Sequence, residues 1–272
     1  MILGLEFPPI SHVTEWPALF GDGAFSVNKV VLLMWASVLI VFLLYAAGRG
    51  QKLVPTGAQN VAETSIEFIE DQVVLQTMGP EGLRFTPFLL TLFTFILTCD
   101  LWGLIPGAQM PVTARIALPM FMALLVYVIY NAVGIIRHGP IRYLRDIMFI
   151  PGVPWPMYIL LTPIELITRF ITQPLSLAVR LFANLLAGHL LLVSFAVITQ
   201  ALFEATIVGA ALPFALLVFL SGFEVLVAFL QAYIFTILAA VYIGTSMEGH
   251  GEEDELSHGE FEHAEPDHAY AH

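Results

Sequence analysis

Arg180 lies in the stretch PLSLAVRLFANLLAGHLL, residues 174–191, far from both ends of an apolar run that extends from Ile147 to Phe203. A guanidinium is always charged in a protein. At mid-bilayer a charge costs from about 3 to more than 10 kcal/mol, so it persists where it has a partner or lines an aqueous path. Arg180 is also too deep in the run to reach an interface by stretching. On a helix Asn184 sits one turn further along the same face, whereas His189 is turned by about 180° and displaced by about 13 Å. A fixed cation on one face and a proton-exchanging imidazole on the other suit ion handling. A second apolar stretch, FEVLVAFLQAYIFTILAAVYIGT at residues 223–245, carries Glu224 and Gln231 seven residues apart, hence on one helical face. The bland alternative is a static buried network that locks two helices together. A permanent cation with no acidic residue close by in its own helix argues against it.

These residues need long apolar elements to hold them, and the chain supplies several. Val30–Gly48 is an uncharged run ended by Arg49, Gly50 and Lys52, which predicts a first transmembrane helix over 29–49. Residues 58–79 alternate differently, with Glu63, Glu67 and Glu70 on one stripe and Val61, Phe68, Ile69 and Leu75 turned elsewhere. That is an interfacial amphipathic helix or an acidic surface helix; periodicity alone allows both. Further crossings are expected over 85–107, interrupted only by Asp100, and over 113–137, which stops at Arg137 and His138.

From Ile147 to Phe203 the Lys, Arg, Asp and Glu residues are Glu165, Arg169 and Arg180 alone, and from Ala205 to Met247 Glu224 stands alone. Both runs far exceed the roughly 20 residues that cross a bilayer. Two long tilted helices over 147–203 and 205–247, forming an antiparallel hairpin, fit better than four upright ones. The fold class is therefore an all-α integral membrane protein with about five transmembrane helices and one interfacial helix. Residues 1–28 form an N-terminal segment on the outer side, without the basic region and apolar run of a cleaved leader.

Composition agrees with this class. The chain has 272 residues, 58% of them hydrophobic and 12% charged, with a mean hydropathy of +0.84, which excludes a soluble core. The net charge of -12 is concentrated after residue 246, where nine acidic side chains occur without Lys or Arg, leaving thirteen acidic against ten basic in the body. No basic stripe for nucleic acid exists. Residues 248–272 read as a disordered acidic, His-rich tail; its five histidines match no closed metal site, and no metal or cofactor is expected. Cys99 is a small packing residue. The basic clusters at Arg49 with Lys52, and at Arg137 through Arg145, fall on one side if the helices alternate, which puts them and the tail in the cytoplasm.

LWGLIPG at 101–107, TPIELITRF at 162–170 and the two long stretches quoted above together resemble the signature of the a subunit of F-type ATP synthases, over most of the chain. The resemblance implies a non-catalytic stator subunit of a bacterial plasma membrane, partnered by the c-ring, the peripheral-stalk b subunits and the lipid bilayer. It implies that Arg180 faces the ring, attracts each ring carboxylate that has lost its proton, and blocks direct ion leak. Asn184, His189, Glu224 and Gln231 match positions around the outer half-channel, and Glu165 one near the inner half-channel. Some relatives carry Glu where this chain has His189 and His where it has Glu224, so the pair is exchanged. Asp100 stands where Asn is usual, either as a channel group or as a hydrogen-bonded helix contact. A secondary transporter is the main rival, but no pair of related halves is visible; a purely structural scaffold is the other.

Overall fold

The computed structural model describes residues 28–48, 57–105, 112–148 and 157–248. The N-terminal segment to residue 27, the Arg49 and Lys52 cluster, the proline cluster before residue 157 and the tail after residue 248 lie outside them. The described residues form helices and turns without strands: α1 (Lys29–Ala47), α2 (Ala58–Ile69), α3 (Thr86–Leu101), α4 (Ala117–His138), α5 (Pro140–Met148), α6 (Tyr158–Ile167), α7 (Gln173–Ala205) and α8 (Ile207–Glu248). Five helical stretches are long and apolar enough to cross a membrane: Lys29–Ala47, Pro80–Leu104, Ala117–His138, Tyr158–Phe203 and Val208–Met247.

α7 and α8 are the centre of the molecule. A single extended residue, Thr206, separates them. Contacts pair Arg169 with Ser246, Asn184 with Gln231, and Gly188 with Glu224, the numbers rising on one side as they fall on the other. The two are therefore antiparallel. At about 1.5 Å per residue, the 42 residues of α8 reach about 63 Å, twice the roughly 30 Å hydrocarbon core, so the helix must lean or curve through the bilayer. The buried face of α8 is lined by Ala228, Ala232, Ala239 and Ala240, and α7 answers with Leu177, Ala178, Leu181 and Leu185. Small side chains let helix axes approach where lipid supplies no hydrophobic driving force between helices. α3 and α4 complete the core against α8 through Leu89, Phe93, Ile96, Val126 and Tyr130.

α1 packs on α3 and is joined to it by Trp102, whose indole donates to Ser37 Oγ at 2.8 Å. The outer surface is apolar: Trp35, Phe42, Ile136, Ile159, Val208, Leu212 and Phe219 are exposed, as lipid contact requires.

Two segments differ from the sequence expectation. α2 continues through a π turn (Glu70–Val74) and a last turn (Leu75–Thr77), and its apolar face is covered by protein: Ile69, Val73 and Val74 are fully buried against α3 and α8. Glu63, Glu67 and Asp71 remain exposed on the opposite side. The expected long segment over 147–203 runs as one helical stretch over Tyr158–Phe203, with a different start and a π turn inside it. Its first two residues belong to α5, which Gly139 at φ 78 turns away from α4, and a π turn (Thr168–Thr172) separates α6 from α7. An i+5 turn takes up one extra residue, so everything before it is rotated by about 100° relative to everything after.

Candidate functional site

Arg180 is exposed on α7, beside the exposed Val179 and the buried Leu181. Among the described residues it has no hydrogen-bond or ion-pair partner; Tyr242 of α8 lies within electrostatic reach. Asn184, one turn on, is exposed on the same face, and its amide donates across to Gln231 Oε1 at 3.4 Å. Gln231 is buried, so this contact carries the polar character of the Arg180 face into the hairpin.

His189 and Glu224 are both buried, 5% and 6% exposed. Glu224 lies against Gly188: a Cβ there would stand 3.3 Å from Glu224 Oε1, so the glycine makes room for the carboxyl. Asn184, Leu185, Gly188, Leu192, Phe223 and Glu224 border an open cavity of about 340 Å³. Two predicted residues, one per helix, thus meet in a single pocket beside the Arg180 face.

Asp100 closes the end of α3 at 1% exposure and accepts from the Thr113 hydroxyl, while Glu224 is its acidic neighbour within electrostatic reach. The hydrogen-bonded contact expected as one alternative is present, and one oxygen of Asp100 is still unused. Asp100 Oδ2, His189 Nδ1, Glu224 Oε2 and Gln231 Nε2 are all buried without a hydrogen-bond partner among the described residues. Each such orphan costs about 1–3 kcal/mol in an apolar interior. They depart from the rule that buried polar atoms are satisfied, as do Tyr45 Oη, Thr86 Oγ1, His138 Nε2 and Arg169 Nε among the described residues. Glu165 is half-buried on α6, away from this group, and makes no hydrogen bond or ion pair among the described residues.

Arg169 was not among the predicted site residues, although it stands in the quoted TPIELITRF stretch. It is 9% exposed and its Nη2 donates to Tyr143 Oη at 3.2 Å and to Ser246 Oγ at 3.3 Å. Tyr130 donates to its backbone carbonyl at 3.1 Å, and the guanidinium carbon is 5.3 Å from the Tyr143 ring and 6.0 Å from the Tyr130 ring. Tyr143 in turn donates to Asn131 Oδ1 at 3.0 Å. A sequence signal existed: Tyr130, Asn131 and Tyr143 are polar groups in or beside apolar runs. The signal is weak, because a tyrosine hydroxyl can find partners in many places.

Among the described residues no group of three or more His, Cys, Asp or Glu side chains converges as a metal site. The one ion pair among them joins Arg137 to Glu81, and Arg137 also donates to the Met247 carbonyl at 3.2 Å, holding the end of α8 to the end of α4.

Residues 30–244 match the family model described as ATP synthase A chain. The chain is 37% identical over 249 residues to ATP synthase subunit a of Rhodococcus erythropolis, covering 87% of this chain and 86% of that one. It is 36% identical over 253 residues to the protein of the same name from Frankia alni, covering 90% and 87%. With that of Xanthobacter autotrophicus the identity is 42% over 237 residues, covering 85% and 92%.

Proposed function

Because the chain belongs to the ATP synthase A chain family, we propose that it is the proton-conducting stator subunit of an F-type ATP synthase, with Arg180 facing the rotating c-ring and two offset half-channels leading to and from it. The observation that carries this reading is Arg180 itself. A permanent cation stands exposed on a lipid-apolar surface without a hydrogen-bond or ion-pair partner among the described residues, and such a charge is tolerated where a partner surface supplies the opposite one. A ring carboxylate that has lost its proton is that opposite charge. Arg180 holds it while ionised, releases it when it is protonated, and repels any cation that would pass straight across.

His189, Glu224 and Asp100, with the Asn184–Gln231 bridge, form the outer half-channel. Imidazole and carboxyl groups accept and release protons, and each of the three has a buried polar atom without a partner among the described residues. Glu165, on the other side of the π turn from Arg180, belongs to the inner half-channel. The subunit performs no bond chemistry; its work is electrostatic positioning. Its partners are the c-ring and the peripheral-stalk b subunits, in a bacterial plasma membrane, with the N-terminus outside and the tail after Met247 in the cytoplasm.

The test is Arg180→Ala in inverted membrane vesicles, read as proton-driven ATP synthesis together with the amount of assembled complex. Synthesis is lost while assembly persists, since the side chain is exposed and makes no hydrogen bond or ion pair among the described residues. Normal coupling in that variant removes the stator reading. Labelling of single cysteines introduced at positions 11 and 260 in intact cells checks the orientation, the first reacting and the second not.

A further inference from the structure

A chain that moves protons across a membrane must not offer them a shortcut, and α8 carries polar groups toward both ends of one face. Glu224, Gln231, Tyr242 and Ser246 are spaced by seven, eleven and four residues, which keeps all four within about 40° of one helical face. Glu224, Gln231 and Ser246 are buried and Tyr242 is partly so. At about 1.5 Å per residue the four span about 33 Å along the leaning helix, with buried Phe235 and Ala239 between Gln231 and Tyr242. The inner half of this stripe is continued by neighbouring helices. The Tyr242 ring packs at 5.8 Å on that of Tyr130, Tyr130 bonds the Arg169 backbone, and Ser246 donates to the Tyr242 carbonyl at 2.9 Å.

We propose that Arg169 is a second fixed cation that closes the inner end of this stripe to protons, so that they cross on the ring and not through the subunit. This rests on the proton-conducting reading above. Arg169 lies eleven residues before Arg180, about 16 Å along a helix. In an uninterrupted α-helix eleven residues make three turns and both side chains would share a face. Arg169 stands within the π turn, whose extra residue swings it away from the Arg180 face, and the two differ accordingly: Arg180 is exposed, Arg169 is 9% exposed inside the bundle. One guanidinium therefore looks out toward the ring and the other looks in toward the stripe.

The surroundings of Arg169 keep its charge unneutralised. Its side-chain partners are the hydroxyls of Tyr143 and Ser246 and the faces of two tyrosine rings; no carboxylate pairs with it among the described residues. Hydroxyl oxygens and ring faces solvate a cation without cancelling it. Both hydroxyls are already committed as donors elsewhere, Tyr143 to Asn131 and Ser246 to Tyr242. They present lone pairs to Arg169 and have no proton acceptor free to pass one on. A proton about 10 Å away, at an effective dielectric of about 20, is repelled enough to cut its occupancy more than about tenfold.

The test uses the whole complex in vesicles, with the ring carboxylate changed to its amide so that no proton can cross on the ring. Passive proton conductance then measures leakage through this subunit. Arg169→Met fills similar volume without charge and raises that leak about tenfold or more, while Arg169→Lys keeps it at the parental level. Met variants as tight as the parent, at equal amounts of complex, overturn the proposal. If the Met variant does not assemble, Arg169→Gln is measured, and a tight Gln variant has the same force. Failure of both to assemble, with Lys assembling normally, also overturns it, assigning the charge to folding alone. With the unmodified ring, Arg180→Ala serves as the reference: if it stays coupled, the stator reading falls first; if it is uncoupled while Arg169→Met is tight, the sealing role alone is wrong.

Discussion

The two ends of the α7–α8 hairpin treat polar groups in opposite ways. Toward the Thr206 link, His189, Glu224 and Gln231 are buried with polar atoms left unpaired, and Glu224 borders an open cavity. Toward the other end, Arg169, Tyr143, Ser246, Tyr130 and Asn131 are joined in one hydrogen-bonded cluster drawn from α4, α5, α8 and the π turn. The first arrangement leaves capacity for protons to be accepted and released. The second commits both hydroxyls and one guanidinium nitrogen, leaves Arg169 Nε without a partner among the described residues, and fixes a charge. On the reading proposed above, conduction and insulation in one subunit differ less in residue type than in which hydrogen bonds are committed.

The largest expected effect separates the two arginines. Arg180→Lys loses ATP synthesis by about a hundredfold or more, because a strongly hydrated ammonium lacks the planar fork that meets a carboxylate and can give up its proton in an apolar setting. Arg169→Lys changes synthesis by less than about threefold, since only a charge is required there and the tyrosine faces still solvate it. Vesicle ATP synthesis at matched complex content measures both. Equal losses at the two positions would erase the distinction between an outward and an inward cation.

Next in size is Glu224→Gln, which keeps shape but cannot titrate. Proton uptake falls by about tenfold or more, within the range assigned to a positioned proton-transfer group, with little loss of complex. His189→Glu combined with Glu224→His restores much of the uptake lost by either change alone, because the presence of two proton-exchanging groups matters more than their order. Should Glu224→Gln conduct at the parental rate, the unpaired end of the hairpin is a packing feature.

Much of this division was legible in the sequence. The spacing of Arg180, Asn184 and His189 already placed a cation and an imidazole on opposite sides of a helix, and the structure has Arg180 exposed and His189 buried. Five apolar crossings and a long final pair followed from run length alone. Arg169 escaped because helical periodicity assumes 3.6 residues per turn, and the π turn at Thr168–Thr172 breaks that assumption where it matters. The setting of α2 escaped for a different reason. Its apolar residues Ile69, Val73 and Val74 could be read as a face, but whether lipid or α8 covers that face is a tertiary question.

A smaller effect is expected from Gly134→Ala. A Cβ there would stand 2.1 Å from the Tyr143 ring, so the ring has to shift. Overpacking of this kind costs about 1–3 kcal/mol. Because Tyr143 carries one of the two hydroxyls on Arg169, the displacement loosens the insulating end alone. Thermal unfolding of the purified complex drops, and the proton leak with the amide ring rises by a few-fold. A leak unchanged at lowered stability would show that the charge seals without help from Tyr143.

The smallest effect belongs to Ser246→Ala, and it bears most directly on whether charge or bonding insulates. The serine hydroxyl accepts from Arg169 at 3.3 Å and donates to the Tyr242 carbonyl at 2.9 Å, so its loss removes one of two side-chain partners of the guanidinium. Hydrogen bonds between membrane helices are worth about 0.6 kcal/mol on average and at most about 1.7. Arg169 keeps Tyr143 and both ring faces, and α8 remains tied to α4 through Arg137 and the Met247 carbonyl. The complex should therefore melt slightly lower, and the charge stays where it was. If the fixed cation is what excludes protons, conductance with the amide ring is unchanged in Ser246→Ala. It rises only when the guanidinium itself is removed. A leak from Ser246→Ala comparable to that from Arg169→Met would mean that the committed hydroxyls form the barrier, and the contrast between the two ends of the hairpin would then lie in bonding alone.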